Sequence, residues 1–168
     1  MNLQFYLEKL EDSDIFKEFM KENPSAFLCS GFFVIDKQTK NNQTHFDFYI
    51  PEKKEMFSFR LETGIEKSQI DTVTDVPEQI PDDIDFRFED IEAILGKKII
   101  ENNITNKLQK ILLSLQRKDG KDFLIGSVFV SAMALIRIDI DLAEMKVISF
   151  EKKSFFDMIR VVRKKDDD

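Results

Sequence analysis

Two stretches of the chain repeat one pattern of apolar and polar positions. Residues 46–59 read FDFYIPEKKEMFSF and residues 138–150 read IDIDLAEMKVISF. In each, apolar and polar residues alternate, a short charged turn follows, and a second apolar stretch closes on Ser-Phe (Ser58-Phe59 and Ser149-Phe150). Alternation with a period of two marks a strand with one buried face. Each stretch therefore reads as a β-hairpin, and its recurrence predicts a repeated supersecondary unit.

The rest of the chain falls into place around these hairpins. Leu3, Tyr6, Leu7 and Leu10, then Ile15, Phe16, Phe19 and Met20, have helical spacing. Asp12-Ser13-Asp14 offers capping groups and acids between them, so two helical pieces with a bend near residue 12 are expected. Asn23-Pro24-Ser25 stops the second piece. Residues 26–35 (AFLCSGFFVI) are apolar on both faces and predict a covered strand. Residues 62–83 turn polar and Pro-containing. Ile91, Ile94, Leu95 and Ile99 then mark a helix at about 89–102.

Residues 107–117 suit a helix by propensity, but Ile111, Leu113 and Leu115 alternate with Lys110, Ser114 and Gln116. Asp119-Gly120 follows at once, a strong hairpin signal because Gly accepts positive φ. The stretch therefore reads as a strand that returns over 122–131, followed by strands at 133–141 and 145–151. Ser154 with Asp157 resembles a cap for a last short helix, in which Phe155, Ile159 and Val162 share a face.

Strands grouped after each helix, rather than alternating with helices, predict an α+β chain of antiparallel meanders with helices on one face. The expected organisation is a first αβββ unit over 1–62, a linker over 63–83, a second αββββ unit over 84–152, and a C-terminal helix and charged tail over 153–168. The repeat extends upstream, with Phe27–Val34 lying against Phe123–Val130 ahead of the shared hairpin. The strand at 107–117 then looks like an extra one in the second unit.

Composition narrows the partner class. The net charge of −7 disfavours nucleic acid, which needs a basic footprint. The longest apolar stretch, residues 123–136, is too short to span a bilayer as a helix. No apolar secretory stretch appears in residues 1–25, and a single Cys precludes an internal disulfide; a cytoplasmic protein is expected. The chain has 17 Phe and no Trp, which implies a Phe-packed core or a Phe-lined groove.

Chemistry is sparse. One His and one Cys make a zinc site improbable, and the acids of the connector (Asp71, Asp75, Asp82, Asp83) lack an EF-hand pattern. Cys29 sits in a doubly apolar run, where a thiol is usually a buried hydrophobe, and His45 opens a strand on its polar face. Asp139 and Asp141 share one strand face with Arg137 nearby, the ordinary layout of a wet surface. Lys118-Asp119-Gly120-Lys121 is a turn and not a phosphate loop. No catalytic residues, cofactor or metal are expected.

The stretch from Ile138 to Val147 (IDIDLAEMKV), the last hairpin of a helix-plus-meander unit, resembles a PepSY-type unit of the cystatin-like kind. That family usually has Gly where Met145 stands. Residues 10–19, 23–28 and 46–52 are similar to a group of archaeal PepSY-like proteins, in which a Trp often falls where His45 or Phe46 stands here. The resemblance covers most of residues 1–152 and implies tandem cystatin-like units and a ligand-binding or peptidase-regulating role. The expected function is a non-enzymatic module that recognises a peptide or protein through a sheet edge or a Phe-lined cleft. Candidate lining residues are Phe32, Phe46, Phe48, Tyr49 and Phe59. A structural protein that pairs as a homodimer, and an enzyme with an unrecognised site, are the alternatives.

Overall fold

The computed structural model describes residues 2–71, 75–131 and 134–154. Among them, three helices accompany one eight-stranded antiparallel sheet, an α+β arrangement. Two short helices open the chain, α1 (Leu3–Glu11) and α2 (Asp14–Glu22), with the expected bend between them. Each has a side-chain cap: Asn2 accepts from the Phe5 amide and Ser13 from the Phe16 amide. Strands β1 (Phe27–Asp36), β2 (Gln43–Ile50), β3 (Glu55–Arg60) and β4 (Glu66–Ile70) follow. Helix α3 (Phe88–Glu101) precedes β5 (Leu108–Lys118), β6 (Lys121–Val130), β7 (Ala134–Asp141) and β8 (Lys146–Ser154).

The strand order is β4-β3-β2-β1-β5-β6-β7-β8. The two meanders meet where β1 pairs antiparallel with β5, with Phe33 opposite Leu113 and Gly31 opposite Leu115. Residues 107–117 are thus strand, as their alternation predicted, and not helix. Asp119 and Gly120 both take positive φ, 51° and 72°, the backbone of the tight hairpin turn their identities favour.

One core joins the helices to alternate residues of the strands. Leu3, Leu7, Leu10, Phe16, Phe19, Ile91, Leu95 and Ile99 share it with Phe33, Phe46, Phe48, Phe59, Leu113, Leu124 and Ile138. Phe16 and Phe19 of α2 meet the rings of Phe48 and Phe59 at centroid distances of 4.8–6.3 Å. Tyr6 of α1 touches Phe88 of α3, and Phe88 touches Phe33 of β1. Gly126 sits close against β5, where a Cβ would lie 2.0 Å from the Leu112 carbonyl oxygen.

Three organisational expectations need correction. The presumed linker 63–83 contains β4, whose residues 66–69 are exposed and carry no apolar alternation to announce a strand. Its downstream part is also tied down: the Ile80 amide donates to the Leu28 carbonyl, and the Glu78 carboxylate accepts from the amides of Asp119 and Gly120. With β4 counted, four strands lie on each side of the junction between β1 and β5, so β5 is not an extra strand. The two similar hairpins are also one strand out of step. Residues 46–59 form β2–β3, inside the sheet, whereas 138–150 form β7–β8, which ends at an edge.

What the hairpins share is local geometry. Each turn has four residues, and the fourth is left-handed, Lys54 at φ 54° and Met145 at φ 50°. Met145 holds the place where the resemblance calls for Gly, and its side chain packs against the core. Strand β8 runs to Ser154, two residues into the segment assigned to a C-terminal helix; residues 155–168 lie outside the described residues.

Candidate functional site

The five aromatic candidates do not form one site. Alternation places Phe46, Phe48 and Phe59 on the helix-facing side of β2 and β3, where they are 0%, 7% and 0% exposed. The rings of Phe16 and Phe19 pack against Phe48 and Phe59 from α2. Phe32 and Tyr49 point the other way, outside the shared core. Tyr49 is buried beside Phe27, with ring centroids 5.7 Å apart, and Phe32 lies 5.8 Å from the His45 ring. Phe46 and Phe59 are therefore packed interior, because side chains two apart on a strand share a face, whereas Phe48 also lines a depression between helices and sheet with Leu7, Phe16, Met20 and Phe27.

The sheet edges are guarded in the manner of natural edge strands. Strand β4 is five residues long, with Glu66 and Lys67 exposed. Strand β8 is longer, but Lys146, Glu151 and Lys152 are exposed, and its register with β7 slips between Val147 and Ser149. A bulge and a run of charges both resist pairing with a further strand.

The face of the sheet turned away from the shared core is the remaining surface. Its rows follow from the register. One row runs Phe32, Ser114, Ile125, Asp139, Ser149; the next runs Val34, Leu112, Ser127, Arg137, Glu151; a third includes Lys110, Phe129, Leu135 and Lys153. Ile125 and Phe129 on β6 are 39% and 38% exposed, and Leu112, Phe123 and Leu135 beside them are half-buried. A shallow depression at this place is lined by Ile125, Gly126, Ser127, Arg137, Asp139, Ser149 and Glu151. The arrangement places apolar side chains in the middle of the face with opposite charges alongside.

Sequence reasoning did not select these residues, although a signal existed. Residues 122–131 are apolar at both odd positions (Phe123, Ile125, Phe129) and even positions (Leu124, Val128, Val130). A strand with only one core-facing side should not be.

Two further groups bear on chemistry. The Cys29 thiol donates to the Asp47 carbonyl at 3.3 Å, at the bulge where the β1–β2 register shifts. Burial, with the nearby Asp47 charge adding to it, pushes the thiol up to about 12, so thiolate chemistry is suppressed. His45 Nε2 lies 3.5 Å from Glu62 Oε1, and Glu62 Oε2 lies 3.7 Å from Arg60 Nε. His45 thus faces a carboxylate and not the thiol. Among the described residues, neither His45 Nε2 nor Glu62 Oε2 has a hydrogen-bond partner. Asp47 accepts a short hydrogen bond from the Ser30 hydroxyl, and Asp141 accepts from the Glu144 amide within its turn. Among the described residues, no three His, Cys, Asp or Glu side chains are grouped to hold a metal ion. Among them, no helix is long and apolar enough to cross a membrane.

No family model matches the chain, and no curated protein matches it. One solved structure does, that of a candidate lipoprotein from Clostridium difficile 630. The match covers 83% of this chain and 91% of that one, with a TM-score of 0.54 and 12% sequence identity. At that identity the likeness concerns the fold: an α+β chain with one broad antiparallel sheet.

Proposed function

We propose that this chain is a non-enzymatic binding module that takes a protein or peptide partner on the uncovered face of its sheet. In this reading it consists of two helix-plus-four-strand units joined edge to edge at β1 and β5. One observation carries the choice of surface: Ile125 and Phe129 stand more than a third exposed on β6, an interior strand of the sheet, with half-buried apolar neighbours and Arg137 beside them. Large apolar side chains grouped on a wet face cost solubility and are retained where something docks. The packed interior and the charged edges argue against the cleft and strand-addition modes of recognition. A lone, buried thiol accords with a reducing compartment, and we place the protein in the cytoplasm on that ground.

The test compares three forms of the purified, tagged protein in capture from its native host, read by quantitative mass spectrometry. They are the wild type, Phe129→Asp, and Val76→Asp as an exposed control in the segment between β4 and α3. A partner retained by wild type and Val76→Asp but lost with Phe129→Asp supports the reading. Identical partner sets for all three overturn it. Light scattering on the same samples shows whether that partner is a second copy of the chain.

A further inference from the structure

The open face complements itself about one line. Gly126 on β6 pairs with Ile138 on β7, and Leu113 on β5 and Phe150 on β8 complete the row. On the open face, Phe123 and Phe129 stand three residues to either side of Gly126. Ile125 and Ser127 flank it directly. In the same way Leu112 and Ser114 flank Leu113, and Arg137 and Asp139 flank Ile138. A half-turn about an axis lying along this row, above the face, therefore exchanges Phe with Phe, large with small, and positive with negative.

Each exchange is complementary when the half-turn relates two copies stacked face to face with their strands antiparallel. Phe123 of one copy then meets Phe129 of the other. Ile125 meets Ser127, at the depression of about 430 Å³ that Gly126, Ser127 and Ser149 help to line. Leu112 likewise meets Ser114, and large residues facing small ones let two sheets interdigitate. Arg137 meets Asp139. Among the described residues, neither of these side chains makes an ion pair or hydrogen bond within its own chain. Lys146 and Lys153 also come opposite each other, but at the β8 corner, where sheet twist splays the two copies into screening solvent. Asp141, opposite Leu135, is already held by the Glu144 amide. The area suffices: four strands, β5 to β8, and eight paired positions along β6 and β7 span about 19 by 27 Å, roughly 500 Å² per copy. Two copies together cover about 1,000 Å², the lower limit for a specific interface.

We propose that the occupant of the open face is a second copy of this chain, in a two-fold dimer whose axis runs over Gly126 and Ile138. The inference rests on the reading that this face binds a partner, and it names that partner. The two Phe123–Phe129 contacts supply the apolar centre, and the two Arg137–Asp139 contacts fix the antiparallel orientation. An interface of this size makes the dimer concentration-dependent.

The test is sedimentation velocity on the full chain at rising concentration, with two charge variants whose far-UV spectra match wild type. Arg137→Asp leaves two acids at these positions, and Asp139→Arg leaves two arginines, so each variant alone opposes like charges. Each should weaken self-association at least about tenfold. Mixed in equal amounts, the two variants should form a heterodimer about as tight as the wild-type dimer, because both contacts then join opposite charges. A monomeric wild type, variants that self-associate as wild type does, or a mixture that associates no more than its components overturns the proposal. A monomeric wild type that still loses a captured protein on Phe129→Asp overturns this inference and leaves the binding reading standing. Identical capture by all forms, with no self-association, overturns both.

Discussion

Replacing Phe59 by Ala tests whether the aromatic cluster is core or binding site. Phe59 is fully buried on β3, and the rings of Phe19, Phe16 and Phe48 lie 5.0, 5.2 and 5.8 Å away. Truncating such a side chain typically costs about 3–5 kcal/mol from lost transfer energy and the cavity left behind. Edge-to-face ring pairs add roughly 0.5–1.5 kcal/mol each beyond area, and three are lost here, so the upper end, about 5 kcal/mol, is expected. That is a third or more of the stability of a typical domain, which is about 5–15 kcal/mol. For a chain of this length the melting temperature should fall by roughly 10–20 °C.

The assay is urea unfolding followed by far-UV circular dichroism, since the chain has no Trp. The slope should stay unchanged and the midpoint should fall. Phe129→Ala is the companion: at 38% exposure on the open face it should cost less than about 1 kcal/mol. The reasoning fails if Phe59→Ala also costs under about 1 kcal/mol. That result would mean slack around the ring, and the cleft would return as the candidate site.

Four further outcomes are expected. Gly126→Ala should lose about 2–3 kcal/mol in the same assay, because its Cβ meets the Leu112 carbonyl and the backbones must separate. Lys54→Gly should gain roughly 0.5–1 kcal/mol by relieving a left-handed residue with an exposed side chain; a loss would show that the turn carries no strain. Hydrogen bonds from Thr39, aided by Lys110 and Gln38, hold Asp36 well below the usual carboxylate range against the cost of its burial. Its stabilising contribution is therefore complete above the unfolded pKa of about 4 and is lost as pH falls below that. Urea midpoints measured from neutral to acid pH should drop more steeply for wild type than for Asp36→Asn. Cys29 should react with a thiol reagent at pH 8 far more slowly in the folded chain than in urea, and equal rates would contradict its burial.

Much of the local structure was legible because its causes are local. The break between α1 and α2 follows from Ser13 as a cap, and the β5–β6 turn from Asp119-Gly120. The alternation of Ile111, Leu113 and Leu115 decided strand over helix at an ambiguous segment, and all three are fully buried on one face. The similar hairpins do share a turn, as their sequences imply. Strand β4 was not legible, because an exposed edge strand needs no buried face and so leaves no periodic trace.

The candidate site was hardly legible. Density of Phe marks burial, but burial does not say which face of a sheet holds the core and which holds a surface. Phe46, Phe48 and Phe59 went to one side, Phe32 and Tyr49 to the other.

The amino-acid sequence by itself determined the α+β class, the helices and the Ser13 cap between the first two, the hairpin turns and seven of the eight strands. These depend on side chains within a few residues of one another. Only the tertiary structure decided that the two meanders join in one sheet through β1 and β5, that the matching hairpins sit one strand out of step, and that Ile125 and Phe129 face outward. The β1–β5 ladder links residues about eighty positions apart through backbone amides and carbonyls, which every residue but proline carries alike, so no side-chain pattern announces it.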